Sequence, residues 1–350
     1  MVVDSAALTV PADGSSGAGW SIRLIGVGRT RAGEQIVDDV DLDLAPGTIL
    51  AIVGASGCGA TTLARIIAGS ERADTGEVRI DGRPRPEAPR LTAVLTDAAP
   101  RFGRVRDAVR SGNRRRPVAE ERDRLLSLVE LPDPNASVRR LSRGDRQRLT
   151  IARALTTASP ALVLDDALSA LHTSARERLR DAVTRELRRR GTTTVWVTRD
   201  SAEAIAVADR IVVLDRGRVA AEGTPEQVYA CAAEPAVAAV LGPVSAVPGI
   251  VEGAVVDVWG QHLPLAATAH DGHCEVLIRP ENVVLVGADT PGMDATVEES
   301  RFLGHVRRSL VRTDDGSLVH VDHGADVRLT GHARVRIALA PLPVATRPLS

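Results

Sequence analysis

Residues 54–62 read GASGCGATT. They stand between an apolar, β-branched run, TILAIVG (48–54), and a helix-forming run, TTLARIIAG (61–69), closed by Gly69. A glycine-rich turn that leaves a strand and opens a helix is the setting a phosphate-binding loop requires. Backbone N–H groups crowd at the helix start, and small residues let the chain wrap round an anion. Gly54, Gly57 and Gly59 keep the small positions, and Thr61 supplies a hydroxyl of the kind that holds Mg²⁺ beside phosphate. Ala60 occupies the place of the one positive charge such a loop carries. The shape of an anion site is written here without its lysine.

The rest of the chain bounds the question. With 350 residues it has material for one large core and a smaller domain. A formal net charge of −1 gives no sign of a nucleic-acid or acidic-lipid partner. Cys58, Cys231 and Cys274 are scattered and odd in number, which suits a reducing compartment rather than a disulfide framework. The N-terminus lacks the basic start of a signal peptide, and no apolar run reaches transmembrane length. There is no lysine anywhere; every long basic side chain is arginine. Drift toward arginine would place Arg at position 60, so it does not account for Ala60.

The periodicity predicts an α/β core flanked by other material. Residues 1–19 read as a flexible lead-in, with PADGSSGAGW at its end. SIRLIGVG and VDDVDLDLAPG alternate as strands, GEVRIDG is a further strand and turn, and ALVLDD and TTTVWVTRD are buried-type strands. Residues 86–150 are rich in Arg, Pro and helix formers, AEERDRLLSLVEL being amphipathic, and read as a helical insertion. RIVVLDRGRVAAEG reads as a hairpin around DRG. From about 243 the chain becomes short β-patterned pieces with Gly and Pro turns, so a boundary is expected there, between a domain over 20–242 and a β-domain over 243–350.

The order of motifs carries more than any one of them. GASGCGATT is followed by LSRGDRQRLTIARAL, by ALVLDDALSALHTSAR, and by VWVTRDSAEAIAVADRIVVLDRGRVAAEGTPEQVY. Over roughly residues 20–241 this resembles the nucleotide-binding subunit of ATP-binding-cassette (ABC) transporters. The tail, with VLIRPENVVLV and SRFLGHV, looks like the small oligonucleotide-fold (TOBE) domain of importer subunits. The resemblance implies a P-loop NTPase core with a helical subdomain and an all-β C-terminal domain. It implies ATP and Mg²⁺ as ligands and a head-to-tail pair with a second nucleotide-binding subunit. It also implies integral-membrane transporter subunits as partners, an extracytoplasmic solute-binding protein, and a peripheral place on the cytoplasmic side of the membrane.

Carried over position by position, the resemblance puts the nucleotide phosphates on Gly54, Ala55, Ser56, Gly57, Cys58, Gly59, Ala60, Thr61 and Thr62, with Mg²⁺ on Thr61 and Asp165. Asp166 stands where the family has the glutamate that polarises the attacking water, and is one methylene shorter. Arg199, in VTRD, replaces the switch histidine; it can grip phosphate but cannot relay a proton. Thr96 takes the approximate place of the Q-loop glutamine. Arg31 falls where an aromatic stacks on adenine, and a guanidinium plane can also stack. His172 replaces the D-loop aspartate. In the signature over the partner's nucleotide (Leu141, Ser142, Arg143, Gly144, Asp145), Arg143 replaces a glycine and Asp145 a glutamine. Asp145 brings a carboxylate toward a triphosphate, unfavourable unless Arg143 or Arg146 pairs with it.

The departures touch the chemistry and spare the packing residues, which points to a folded subunit with impaired hydrolysis. Three readings follow: the ATP-binding subunit of an importer with slow hydrolysis, a non-hydrolysing regulatory or scaffold subunit paired with an intact cassette chain, or a cytosolic nucleotide-binding protein outside transport, against which the helical insertion and the importer-type tail weigh. Arg199 from the same chain and Arg143 from the partner could replace the lysine's charge, or could face solvent and pair with Asp200 and Asp145. The tail leans toward the iron or polyamine type over the sugar type. His270, His273 and Cys274 (HDGHC) read as a polar turn rather than a metal site. RSGNRRRP reads as a solvated basic face, and Trp20 and Tyr229 as packing residues at element ends.

Overall fold

The computed structural model describes residues 19–88, 91–95, 102–110, 119–131, 133–230 and 234–349. The lead-in over residues 1–18, Thr96, Cys231 and most of RSGNRRRP lie outside the described residues.

The chain opens with β1 (Ile22–Arg31), β2 (Glu34–Leu44), β3 (Ile49–Gly54), α1 (Ala60–Ala68), β4 (Thr75–Ile80), β5 (Arg83–Pro84) and β6 (Thr92–Val94). Then come α2 (Val105–Arg110), α3 (Ala119–Leu128), α4 (Arg143–Thr156), β7 (Ala161–Asp165), α5 (Thr173–Arg190), β8 (Thr193–Val197) and α6 (Ser201–Val207). β9 (Arg210–Asp215), β10 (Arg218–Gly223), α7 (Pro225–Ala230) and α8 (Pro235–Leu241) close this part.

The central sheet has the order β10-β9-β3-β8-β7-β6, and every pairing in it is parallel except β9 with β10. β3 shows why it is central. Ile49, Ala51 and Val53 enter one core cluster with the helices, while Leu50 and Ile52 enter the other with α1 and the outer strands. A strand buried on both faces needs an apolar residue at every position, and TILAIVG supplies it. An antiparallel sheet, β2-β1-β4-β5, covers the second cluster.

Within the segment read as helical from residue 86, β6 is a strand of the central sheet, paired in parallel with β7. Its three residues are too few to show a period. The helices begin at Val105, and α4 runs on past residue 150 into the core. The β9–β10 turn has positive φ at Arg216 (46°) and Gly217 (84°). That pair of left-handed residues suits the twist of a two-residue hairpin.

The strands of the C-terminal part pair antiparallel, with an isolated parallel bridge between Leu265 and Val344. β11 (Ser245–Glu252), β12 (Val255–Val258), β13 (Gln261–Pro264), β14 (Gly272–Ile278) and β15 (Val283–Val286) come first. β16 (Met293–Phe302), β17 (Val306–Thr313), β18 (Leu318–Gly324), β19 (Arg334–Leu339) and β20 (Ala345–Pro348) complete it. They form two five-stranded sheets, β13-β12-β11-β14-β20 and β15-β19-β16-β17-β18, around a valine-rich core. β11 alternates buried and exposed residue by residue, the pattern of a strand with one wet face. On β14 the same alternation sends His273 to solvent and buries Cys274, so the two cannot converge on one ion. Arg279 joins the two parts: it is buried, donates to the carbonyls of Gly242 (3.1 Å), Ala238 (3.4 Å) and Tyr229 (3.4 Å), and stacks on the Tyr229 ring. Trp20 packs against the second core cluster. No helix among the described residues is long and apolar enough to cross a membrane.

Candidate nucleotide site

In a parallel sheet with crossovers, ligands collect at the carboxyl ends of the strands. Here β3, β8 and β7 lie side by side: Val197 pairs with Asp165 at the ends of β8 and β7 and with Ile52 on the other flank, where β3 runs on to Gly54. The segments that leave these three strands therefore meet at one edge. Residues 54–62 leave β3, Asp166 leaves β7, and Thr198 and Arg199 leave β8; together with Asp165, Val197 and Ile36 they line a cleft of about 260 Å³.

The loop's glycines have specific reasons. A Cβ on Gly54 would lie 2.4 Å from the Leu214 carbonyl oxygen and 2.6 Å from the Cys58 sulfur. One on Gly59 would lie 2.2 Å from the Ile36 carbonyl oxygen, at φ 98°. Gly57 has φ 88° and nothing within 4 Å of a Cβ, so the chain needs its left-handed turn and the space above stays open. Gly59 caps α1, whose first residues Ala60, Thr61 and Thr62 line the cleft. Ala60 is its first helical residue and brings no charge. Cys58 is buried beneath the loop; burial pushes its thiol up, so it stays protonated and unreactive.

Asp165 is buried, and its Oδ1 accepts from the Thr61 hydroxyl at 3.1 Å. Burial pushes this carboxyl above its usual range, while the Thr61 hydrogen bond and the charges of Arg65 and Arg199 pull it back. Two hard oxygen donors side by side at the mouth of a phosphate cradle fit Mg²⁺, which takes one or two protein oxygens and fills its shell with phosphate and water. The clashes that fix the loop, and the open space over Gly57, fit a polyphosphate.

Asp166 lies in the left-handed region at φ 52°, which Asp tolerates better than most residues. Its backbone is pinned on both sides: its N–H donates to the Val197 carbonyl (2.9 Å), and its carbonyl accepts from Gln147 Nε2 (3.0 Å) and Ser169 Oγ (2.9 Å). Arg199 is exposed on the cleft wall, and no hydrogen bond or ion pair holds it among the described residues. Its neighbour Asp200 is engaged elsewhere: one oxygen caps α6 by accepting from the Glu203 N–H (3.1 Å), the other accepts from Arg176 (3.4 Å). The Arg199–Asp200 pair considered from the sequence does not form.

The other motif positions lie apart from the cleft. Ser142 caps α4, accepting from the Asp145 N–H (3.1 Å) and donating to the Asp145 carboxylate (2.7 Å). Neither Arg143 nor Arg146 pairs with Asp145; a helix cap satisfies it instead, because Ser-x-x-Asp closes on itself. Arg143 is exposed at the start of α4, and a Cβ on Gly144 would lie 3.0 Å from Leu171. His172 is exposed at the N-terminus of α5 without a side-chain cap. Arg31 does not stand free to stack: Glu71 takes its guanidinium at 2.9 Å and that of Arg29 at 3.0 Å, and Arg31 is not part of the cleft wall.

Two positioning residues escaped the sequence reading. Gln147, on α4, bonds Asp166 and also accepts from the Ala170 N–H (2.9 Å), fastening the segment after β7 to the signature helix. Arg176 holds Asp200 and the Leu171 carbonyl (3.1 Å). Gln147 sits one helical turn past Arg143, and that spacing was the only available sign of it.

The profile of the ABC transporter family matches residues 37–169, and that of the TOBE domain matches residues 276–343. The chain is 38% identical to the Fe(3+) ions import ATP-binding protein FbpC of Streptomyces coelicolor, over 78% of this chain and 81% of that protein. It is 34% identical to the sulfate/thiosulfate import ATP-binding protein CysA of Xanthomonas campestris, over 91% of this chain and 97% of that one. It is 34% identical to the spermidine/putrescine import ATP-binding protein PotA of Marinobacter nauticus, over 82% and 83%. Among solved structures, a dimeric ATP-binding cassette in a post-hydrolysis state bound to ADP and Pi superposes with TM-score 0.53 at 25% identity, covering 58% of this chain and 98% of that one. The matching profiles, the relatives aligned along most of its length, and a phosphate cradle at the end of β3 agree: this chain belongs to the ATP-binding-cassette family, in its importer form with a C-terminal TOBE domain.

Proposed function

We propose that this chain is the ATP-binding subunit of an importer, with hydrolysis slowed by its substituted motifs. It works as one of two cassette subunits on the cytoplasmic side of the membrane, against integral-membrane subunits, with an extracytoplasmic solute-binding protein supplying the cargo. The names of the relatives support ferric iron, sulfate or a polyamine as cargo classes, and the tail leans toward the iron or polyamine type over the sugar type. The cleft that gathers the loop, Asp165, Asp166 and Arg199 carries the reading.

The loop N–H groups and the α1 N-terminus bind phosphates. Thr61 and Asp165 hold Mg²⁺, which draws charge off the phosphate oxygens when bound. Asp166 orients water, with one methylene less reach than glutamate. Its pinned backbone prevents the segment from advancing to recover that distance. General-base assistance contributes about 10²–10⁴ in rate, so turnover falls far below that of an intact cassette. The pinning of Asp166 also favours the second reading, a non-hydrolysing subunit beside an intact paralogue.

Calorimetric titration with Mg·ATP and a steady-state phosphate-release assay test this. Weak but measurable binding with turnover far below an intact relative is expected. No heat at millimolar nucleotide rejects the cradle, and turnover equal to an intact relative rejects the slowed-hydrolysis reading. Zero turnover alone, with restored transport beside an intact paralogue, supports the second reading.

A further inference from the structure

A second cleft lies where the cassette meets the C-terminal domain. Its volume is about 230 Å³, and it shares no residue with the nucleotide cleft. Tyr229 and Ala230, at the end of α7, form one side, and residues from β14 to the turn between β19 and β20 form the other. We propose that this cleft binds a small zwitterion, an α-amino acid with an aliphatic side chain. Arg279 and Asn282 take its carboxylate, Glu281 takes its ammonium, and Val244, Leu277 and Leu342 hold its side chain. Such a site is independent of the nucleotide cleft and of whether this chain hydrolyses ATP.

Two of the lining groups are buried and incompletely satisfied. Arg279 and Asn282 are each 7% exposed. The terminal nitrogens of Arg279 donate to the Ala238, Gly242 and Tyr229 carbonyls, while its Nε–H has no acceptor and its charge no ion pair among the described residues. Burial lowers this guanidinium from its ordinary value, yet arginine does not shed its proton, so an anion brought into the cleft is favoured there. The Asn282 backbone is bonded on both sides, but its side-chain amide has no partner among the described residues. Buried polar groups are bonded almost without exception, so an open amide on a cavity wall calls for a polar guest. A carboxylate answers both groups. Glu281 supplies the opposite charge. Burial, then the bond to Glu281, push the Tyr229 hydroxyl up to about 12, so it stays protonated and donates to one Glu281 oxygen; the other bonds no described residue. Glu281 and Arg279 line one cleft without pairing with each other. Glu281 would repel a simple anion and Arg279 a simple cation, whereas a zwitterion meets both. Leu342 is exposed at the cleft, ready to be covered by hydrocarbon. A volume of about 230 Å³ is below the roughly 300–1,000 Å³ of ordinary ligand pockets, which restricts the guest to a small metabolite.

The test is calorimetric titration of the full chain, without nucleotide, with three probes: L-leucine, isocaproate, which lacks the ammonium, and isoamylamine, which lacks the carboxylate. The unmodified protein, Glu281→Gln and Asn282→Ala are compared. L-leucine should bind and raise the melting temperature, and each truncated probe should bind about tenfold or more weakly. Glu281 is exposed, so Glu281→Gln should fold as the parent does; it should weaken L-leucine by about tenfold and leave isocaproate no weaker. Asn282→Ala removes no side-chain bond of the described structure and should weaken L-leucine and isocaproate alike. Isocaproate binding as tightly as L-leucine to the unmodified protein would show a plain anion site and overturn the zwitterion. L-leucine binding untouched by both substitutions would place it outside this cleft, with the same consequence. Neither heat nor a thermal shift with L-leucine, L-valine or glycine at millimolar concentration removes the site altogether, and none of these results bears on the nucleotide cleft.

Discussion

Glu186→Ala should destabilise the cassette core strongly for the loss of one charged residue, because the Glu186 carboxylate is held in the interior. Its side chain is 3% exposed, on the inner face of α5. It accepts from Arg124 (3.1 and 2.6 Å), Arg189 (3.1 and 2.8 Å) and Arg190 (2.5 Å). Arg190 also donates to the Leu155 carbonyl (2.5 Å) and to Glu121 (2.7 Å), so one carboxylate joins α5 to α3 and α4. Arg124 and Arg189 are 41% and 63% exposed, and water replaces most of what they lose, about 0.2–1 kcal/mol each. Arg190 is 16% exposed and would keep a half-compensated charge in the interior. Breaking a buried pair costs about 3–5 kcal/mol, and Glu121 offsets part of that, so about 3 kcal/mol is expected. At about 2–4 °C per kcal/mol for a domain of this size, the melting temperature should fall by about 6–12 °C in scanning calorimetry. Burial alone would raise the Glu186 carboxyl, but hydrogen bonds from Arg189, Arg124 and Arg190 hold it far below its ordinary 4.5. The advantage over Glu186→Gln is thus fully present above pH 4.5 and is lost as pH falls toward the folded value. A shift under about 2 °C at neutral pH would refute the reasoning, since it would mean the three arginines lose nothing that water does not return.

Glu203 should show the opposite pH dependence. Burial raises its carboxyl above 4.5, and Trp196 Nε1 donates to it at 2.7 Å. Glu203→Gln keeps an acceptor and removes the buried charge, so the variant should match the parent below pH 4.5 and melt higher as pH rises through the folded value; equal melting at pH 8 counts against this. Gly59→Ala should abolish nucleotide binding and lower the melting temperature, its Cβ lying 2.2 Å from the Ile36 carbonyl oxygen. Gly57→Ala meets nothing within 4 Å and should cost only the left-handed strain, about 1–2 kcal/mol, leaving a folded protein; equal effects of the two would disprove the contact argument.

The local parts of the fold were legible because their causes are local. TILAIVG followed by GASGCGATT calls for a strand, a left-handed glycine turn and a helix start, and β3, the loop and α1 answer to it. The DRG turn and the alternation of β11 are of the same kind. β6 was not legible, since three residues carry no period and its strand character comes from pairing with β7. The site was half legible: the motif order named Asp165, Asp166 and Arg199, and chain order could not show that the segments leaving β3, β7 and β8 meet at one edge of the sheet.

Sequence alone determined that a phosphate cradle exists without its lysine, because glycine spacing and the missing charge are properties of adjacent residues. Only the tertiary structure decided which arginines are already engaged elsewhere. Arg31 meets Glu71 forty residues away, and Asp200 is claimed by Arg176 across 24 residues rather than by its neighbour Arg199. Ion pairs form between groups that folding brings within about 4 Å, and that distance is set by how helices and strands pack, not by their separation along the chain.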